Sequence, residues 1–215
     1  MSRVGLSPLY VICDADTCAR SGWTLVDFAT ACLDGGATLL QLRVKHGSSR
    51  AFLADTERIV RRAASAHATI IVNDRADVAR LAGAHGVHVG QDDLRPAAVR
   101  SLLGPDALIG LSTHTTEQLQ VATREPVQYL AIGPVFATRS KDTGYEPVGL
   151  AAVREAVAVA DPVRLPVVAI GGITLDLASD VIGAGATSVA VISDVLVGND
   201  PAARTRAFLE RLARV

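Results

Sequence analysis

Apolar residues recur along this chain in short runs of strand length, and each run gives way to a stretch whose apolar positions follow the period of a helix. The runs lie at 8–13 (PLYVIC), 38–43 (TLLQLR), 69–72 (TIIV), 86–89 (GVHV), 108–112 (LIGLS), 129–133 (YLAIG), 166–171 (PVVAIG) and 188–193 (SVAVIS). Helices are expected near 23–33, 49–65, 76–83, 96–103, 115–124, 149–159, 174–183 and 201–213. Thr24 and Ser48 are placed to cap, Pro96 suits a first turn, and Thr174 precedes LDLASDVI. Regular alternation of strand and helix predicts parallel strands joined by right-handed crossovers. Eight such units close into a (β/α)8 TIM barrel, an α/β fold. A doubly wound open sheet is the main rival, but no strand-turn-helix carries a G-x-G-x-x-G turn. The expectation is a single barrel domain over 1–215, without internal repeat, low-complexity segment or linker.

Composition narrows the function classes. With 49% hydrophobic and 20% charged residues the chain has ample material for a core. A formal net charge of −1 and the lack of a basic run argue against nucleic acid as a partner. No apolar stretch approaches the roughly 18 residues that span a bilayer, and MSRVGLSPLYVICDAD lacks the pattern of a signal peptide. Cys13, Cys18 and Cys32 match no metal or redox spacing, so reduced thiols in a cytoplasmic protein are expected. Oligomeric state is left open, a homo-oligomer included.

In a (β/α)8 barrel the active site sits at the C-terminal ends of the strands, so those ends are where chemistry is sought. Strand two ends in QLRVK, which puts Gln41, Arg43 and Lys45 on one face. Strand three ends in Asn73-Asp74-Arg75, strand four in Gly90-Gln91-Asp92-Asp93, and strand five in Ser112-Thr113-His114. Strand six leads to Thr138-Arg139-Ser140-Lys141, strand seven to Gly171-Gly172, and strand eight to Ser193-Asp194. Polar groups thus collect at one rim, whereas the opposite strand ends are plain.

Arg43, Lys45 and Lys141 crowding one mouth repel each other unless an anion sits among them; otherwise they point outward to water. Asp74 and Asp93 end adjacent strands and either share a hard cation or cap the helices that follow; Asp92 is expected to be the solvated neighbour. Mg2+ takes one or two carboxylates and completes its shell with water and substrate phosphates. The Gly171-Gly172 pair is either a simple turn or a phosphate cradle, the latter suiting strands seven and eight of a barrel. His88 is expected to point into the barrel, and His114 is either an acid/base group or a helix cap. The segment 137–147 (ATRSKDTGYEP) is the candidate lid. Two anion sites in one mouth, one of them metal-assisted, imply two phosphorylated small molecules, one a diphosphate.

The strings QLRVK, VNDRADVA, GVHVGQDDL, IGLSTHT, YLAIGPVFATRSK, AIGGIT and VAVIS, in this order, resemble the thiamine-phosphate synthase family, and the likeness runs from LYVICDAD to the last helix. The resemblance implies a Mg2+-dependent transferase that joins a hydroxymethylpyrimidine diphosphate to a thiazole phosphate by dissociative loss of pyrophosphate. It further implies that Gln41 orients the pyrimidine, that Arg43, Lys45, Asn73 and Lys141 hold the diphosphate, and that Ser112 sits against the pyrimidine or the leaving group. Asp74 and Asp93 are the implied metal ligands, and Thr138, Ser140, Gly172, Ile192 and Ser193 the implied surroundings of the thiazole phosphate. Ser140 stands where the family more often has Thr, Val44 stands where an acid is common, and DTGYEP is less typical. Rival readings are a thiazole tautomerase of the sister family, an aldolase with a Schiff base on Lys141, and a non-catalytic sensor of phosphorylated metabolites.

Overall fold

The computed structural model describes residues 5–138 and 145–215. Eight parallel strands pair in sequence order and close, β1 with β8, into a barrel. They are β1 (Leu9–Asp14), β2 (Leu39–Arg43), β3 (Thr69–Asn73), β4 (Gly86–Val89), β5 (Leu108–Thr113), β6 (Tyr129–Ile132), β7 (Val167–Ile170) and β8 (Ser188–Val191). Each expected strand is present, with ends shifted by at most two residues. The helices are α1 (Ala15–Arg20), α2 (Leu25–Asp34), α3 (Ser49–Ala64), α4 (Ala76–Ala82), α5 (Pro96–Leu103), α6 (Thr116–Ala122), α7 (Gly149–Ala160), α8 (Ala178–Gly183) and α9 (Pro201–Leu212), with 3-10 turns at Asp161–Val163 and Asp194–Asn199. Among the described residues no helix is long and apolar enough to cross a membrane.

Alternation along the strands sorts the core into two shells. Leu9, Val11, Leu40, Leu42, Ile70 and Val72 face outward and pack under the helices. Tyr10, Ile12, Leu39, Ile71, Tyr129, Ala131, Val168 and Ala190 fill the barrel interior. Val44 joins the outer shell, as its place in QLRVK predicts, so Gln41 and Arg43 face the interior.

The departures from the expected elements have local causes. Helix α1 begins straight after β1 because the Asp14 side chain accepts the Thr17 N–H at 2.9 Å, a cap that apolar periodicity does not reveal. Thr24 caps α2 by accepting the Asp27 N–H, whereas Ser48 makes no side-chain cap on α3. The helix expected from 174 starts at Ala178; the Leu175 N–H is given to the Asp194 carboxylate at 3.1 Å, and a turn closed by Leu177 N and Thr174 O precedes the helix.

Candidate active site

The β1–β2 register sets Asp14 opposite Arg43 at the top of the barrel. The two form an ion pair in which the carboxylate is almost sealed and the guanidinium is 13% exposed. Burial pushes the Asp14 carboxyl up, but the Thr17 hydroxyl and N–H and the Arg43 guanidinium outweigh it and hold it below the usual carboxylate value. Lys45, two residues beyond on the same face, forms an ion pair with Asp74. Arg43 and Lys45 thus each hold a carboxylate, and Arg43 is aimed by one.

Asp74 has φ +60°, the left-handed region, and its N–H donates to the His88 carbonyl at 2.8 Å. That conformation costs a non-glycine residue about 1–2 kcal/mol, although Asp bears it better than most. It directs the carboxyl toward Asp93, within hydrogen-bonding reach, while Asp93 Oδ2 accepts the Gly90 N–H at 2.7 Å. Burial and the Asp74 carboxyl push Asp93 up, against the Gly90 N–H and the charge of Lys45. Neither aspartate caps a helix: Arg75 and Arg95 occupy the cap positions of α4 and α5 without side-chain capping bonds. Asp92 is exposed, as expected. Two carboxylates held together at the rim fit a hard cation that takes its remaining ligands from water and phosphate. Among the described residues no cluster of three or more His, Cys, Asp or Glu could hold a metal by itself.

Inside the ring lies a cavity lined by Gln41, Arg43, Asn73 and Ser112, together with His88 and His114. It joins a second hollow over β7 and β8, lined by Gly171, Gly172, Thr174, Ile192, Ser193 and Asp194. Thr138, Ile170 and Ile192 belong to both. Gly172 has φ +63°, and a Cβ there would lie 2.4 Å from the Ala137 carbonyl oxygen, so only glycine lets the chain pass so close. Asp194 is engaged by Arg204, which leaves Arg20, tied to Thr17 at 3.0 Å, as the cation among the described residues of this hollow.

The structure thus brings Gln41, Arg43, Asn73, Ser112, Thr138, Gly172, Ile192 and Ser193 around one pair of connected hollows, with Lys45, Asp74 and Asp93 grouped beside them. Ser140 and Lys141 lie outside the described residues, as does most of the candidate lid. His114 is not the α6 cap, a place taken by Thr115; its Nδ1 donates to the Gly133 carbonyl at 2.5 Å and its ring stacks on Tyr145 at 4.0 Å. Sequence reasoning missed Asp14, Thr17 and Arg20, whose only signal was a D-x-x-T cap, and the tyrosines Tyr10 and Tyr129 beneath the cavity.

Comparison with known proteins agrees with this geometry. A family model described as thiamine monophosphate synthase matches residues 9–195. The thiamine-phosphate synthase of Koribacter versatilis is 49% identical over 213 residues, covering 98% of both chains. That of Roseiflexus castenholzii is 42% identical over 210 residues, covering 98% of this chain and 90% of its own. Among solved structures, a thiamine phosphate pyrophosphorylase from Pyrococcus furiosus superposes with a TM-score of 0.85 at 31% identity, over 96% of this chain and 95% of that one. With this coverage and this fold, the chain belongs to the thiamine monophosphate synthase family.

Proposed function

We infer that this barrel is a thiamine-phosphate synthase: it joins 4-amino-2-methyl-5-hydroxymethylpyrimidine diphosphate to 4-methyl-5-(2-phosphoethyl)thiazole and releases pyrophosphate. The whole chain is read as one domain with its active site at the C-terminal ends of the strands. The observation that carries the reading is the meeting of Gln41, Arg43, Asn73 and Ser112 in one cavity that opens into the Gly172–Ser193 hollow. One compartment suits a heterocycle with a diphosphate, and the other a monophosphate.

The pyrimidine enters against Gln41 and Ser112, with its diphosphate toward Arg43, Lys45, Asn73 and Lys141. As the C–O bond breaks, negative charge gathers on the departing pyrophosphate. Cations already fixed in place stabilise that state more than the bound substrate. Arg43 is held in this way by Asp14. Asp74 and Asp93 would hold Mg2+, which when bound neutralises further charge on the leaving group. The thiazole phosphate sits with its anion at Gly172 and Ser193, beside Thr138, Ser140 and Ile192, and its ring nitrogen attacks the exocyclic carbon with its own lone pair. No general base is needed, which is consistent with His114 spending Nδ1–H on a carbonyl. A tautomerase reading is not favoured, since the full-length relatives are named as synthases.

The direct test is to mix the purified protein with both phosphorylated halves and Mg2+ and to assay thiamine phosphate and pyrophosphate. Both products should appear together, stop with a chelator, and fall sharply in Asp93→Ala. Full turnover by Asp93→Ala overturns the metal assignment; absence of both products in the wild type overturns the function.

A further inference from the structure

Along the cavity floor, five side chains from five strands are joined end to end. Gln41 Nε2 donates to the Tyr10 hydroxyl at 2.9 Å. The Tyr10 and Tyr129 hydroxyls are 3.0 Å apart, Tyr129 OH is 3.0 Å from His88 Nδ1, and His88 Nε2 is 2.8 Å from Ser112 Oγ. Gln41, Tyr10, His88 and Ser112 line the cavity, Tyr129 lies behind them, and both tyrosines are 1% exposed. The seat of Tyr129 is built for it. Its ring stands edge-on to Tyr10 and stacks on His88, and a Cβ at Gly110 would lie 2.0 Å from its Cζ.

Hydrogen counting gives this chain a direction. A phenol has one hydrogen to donate, and a neutral imidazole has one nitrogen that donates and one that accepts. Burial pushes both phenols well up, so both stay protonated. Tyr10 accepts from Gln41; were it to accept from Tyr129 as well, its own hydrogen would find no acceptor in the chain, so the arrangement that uses every hydrogen has Tyr10 donating to Tyr129 and Tyr129 to His88 Nδ1. His88 therefore carries its hydrogen on Nε2 and donates to Ser112, which leaves the serine's own hydrogen for the cavity. At the other end, Gln41 Oε1 is left to accept.

The geometry points to Tyr10, Tyr129 and His88 as positioning residues that fix the His88 tautomer, and through it an acceptor at Gln41 and a donor at Ser112, so that the cavity selects a heterocycle offering a donor toward β2 and an acceptor toward β5. This rests on the synthase reading for the identity of the heterocycle. A 4-aminopyrimidine supplies that pattern: its amino group donates toward Gln41 and a ring nitrogen or ester oxygen accepts from Ser112. A 4-oxopyrimidine offers a carbonyl where Gln41 also offers one, and two acceptors face each other without a hydrogen between them. A site that leaves its own buried polar group unpaired rejects such an analogue strongly.

Two measurements decide it. The first uses 15N-histidine-labelled protein, with the His88 signals identified from the spectrum of His88→Gln. The expected spectrum shows His88 as the neutral Nε2–H tautomer, drifting toward a mixture in Tyr129→Phe. The second compares kcat/KM for the 4-amino and 4-oxo pyrimidine diphosphates in wild type, Tyr10→Phe, Tyr129→Phe and His88→Gln. Each Tyr→Phe variant should lose roughly tenfold of the preference for the amino substrate, the worth of about one buried hydrogen bond, with little change in KM for the thiazole phosphate. His88→Gln, whose amide nitrogen can still donate to Ser112, should keep more of the preference than His88→Asn. An Nδ1–H tautomer in the wild type, or unchanged selectivity in a folded Tyr→Phe variant, overturns the proposal. Because the tautomer is read without turnover, an inactive wild type counts against the synthase reading and not against the chain of hydrogen bonds.

Discussion

Replacing Asp14 by Asn isolates the ion pair that aims Arg43. Asn caps a helix as well as Asp does, so the contact from the Thr17 N–H survives and side-chain volume barely changes. What disappears is a carboxylate charge, on a side chain 4% exposed, facing a guanidinium 13% exposed. Removing one partner of a buried pair costs about 3–5 kcal/mol. Arg43 opens onto the cavity, where solvent screens it, so about 2–3 kcal/mol is the expected loss. For a chain of this length each kcal/mol moves Tm by about 2–4 °C, which predicts a fall of roughly 4–12 °C at neutral pH. The sign of the pH dependence follows from the depressed Asp14 carboxyl. Its contribution is present above the ordinary carboxylate value of 3.8 and is lost as pH falls through the lower folded value. Calorimetric melts of wild type and Asp14→Asn at matched ionic strength should therefore show a constant gap from neutral pH down to about pH 5, closing only below about pH 4. Equal melting temperatures at neutral pH, or a gap that widens on acidification, would refute the assignment. Turnover adds a second reading: with its guanidinium released, Arg43 no longer meets the leaving group preformed, and kcat should fall more than KM for the diphosphate rises.

Three further outcomes are expected. Gly172→Ala drives a methyl to 2.4 Å from the Ala137 carbonyl oxygen in a backbone conformation that disfavours alanine, so KM for the thiazole phosphate should rise at least about tenfold while that for the diphosphate changes little; steady-state kinetics with each substrate varied in turn checks this. Gly110→Ala forces a methyl into the Tyr129 ring and should lower stability by about 1–3 kcal/mol in chemical denaturation; an unchanged denaturation midpoint counts against the packing described. Burial pushes the Cys13 thiol well up and those of Cys18 and Cys32 to about 12, so a thiol reagent at pH 8 should label none of them until denaturant unfolds the chain, as a colorimetric time course would show.

Much of the site was legible because a parallel barrel converts order along the chain into position around a ring. Once QLRVK is read as a strand end, alternation alone turns Gln41 and Arg43 inward and Val44 outward, and so it is found. The same logic brought Asn73 and Ser112 to the mouth. What stayed hidden depends on pairing between distant segments. Asp14 meets Arg43 only through the β1–β2 register, and Tyr10 meets Tyr129 across 119 residues. In the sequence both tyrosines look like ordinary core aromatics, and Gly110 looks like a weak spot in a strand rather than the space that Tyr129 fills. Nothing in QLRVK reveals that Asp74, in a left-handed backbone conformation, reaches Lys45.

That bend at Asp74 sets the interests of the scaffold against those of the chemistry. Glycine there would relax about 1–2 kcal/mol of backbone cost, whereas the ion pair it forfeits, to a lysine side chain 40% exposed, is worth about 0.2–1 kcal/mol. A breeding programme that rewarded survival of heat and ignored turnover would thus drift toward glycine at this position, and the enzyme it delivered would be sturdier and, under the metal role proposed for Asp74, disarmed.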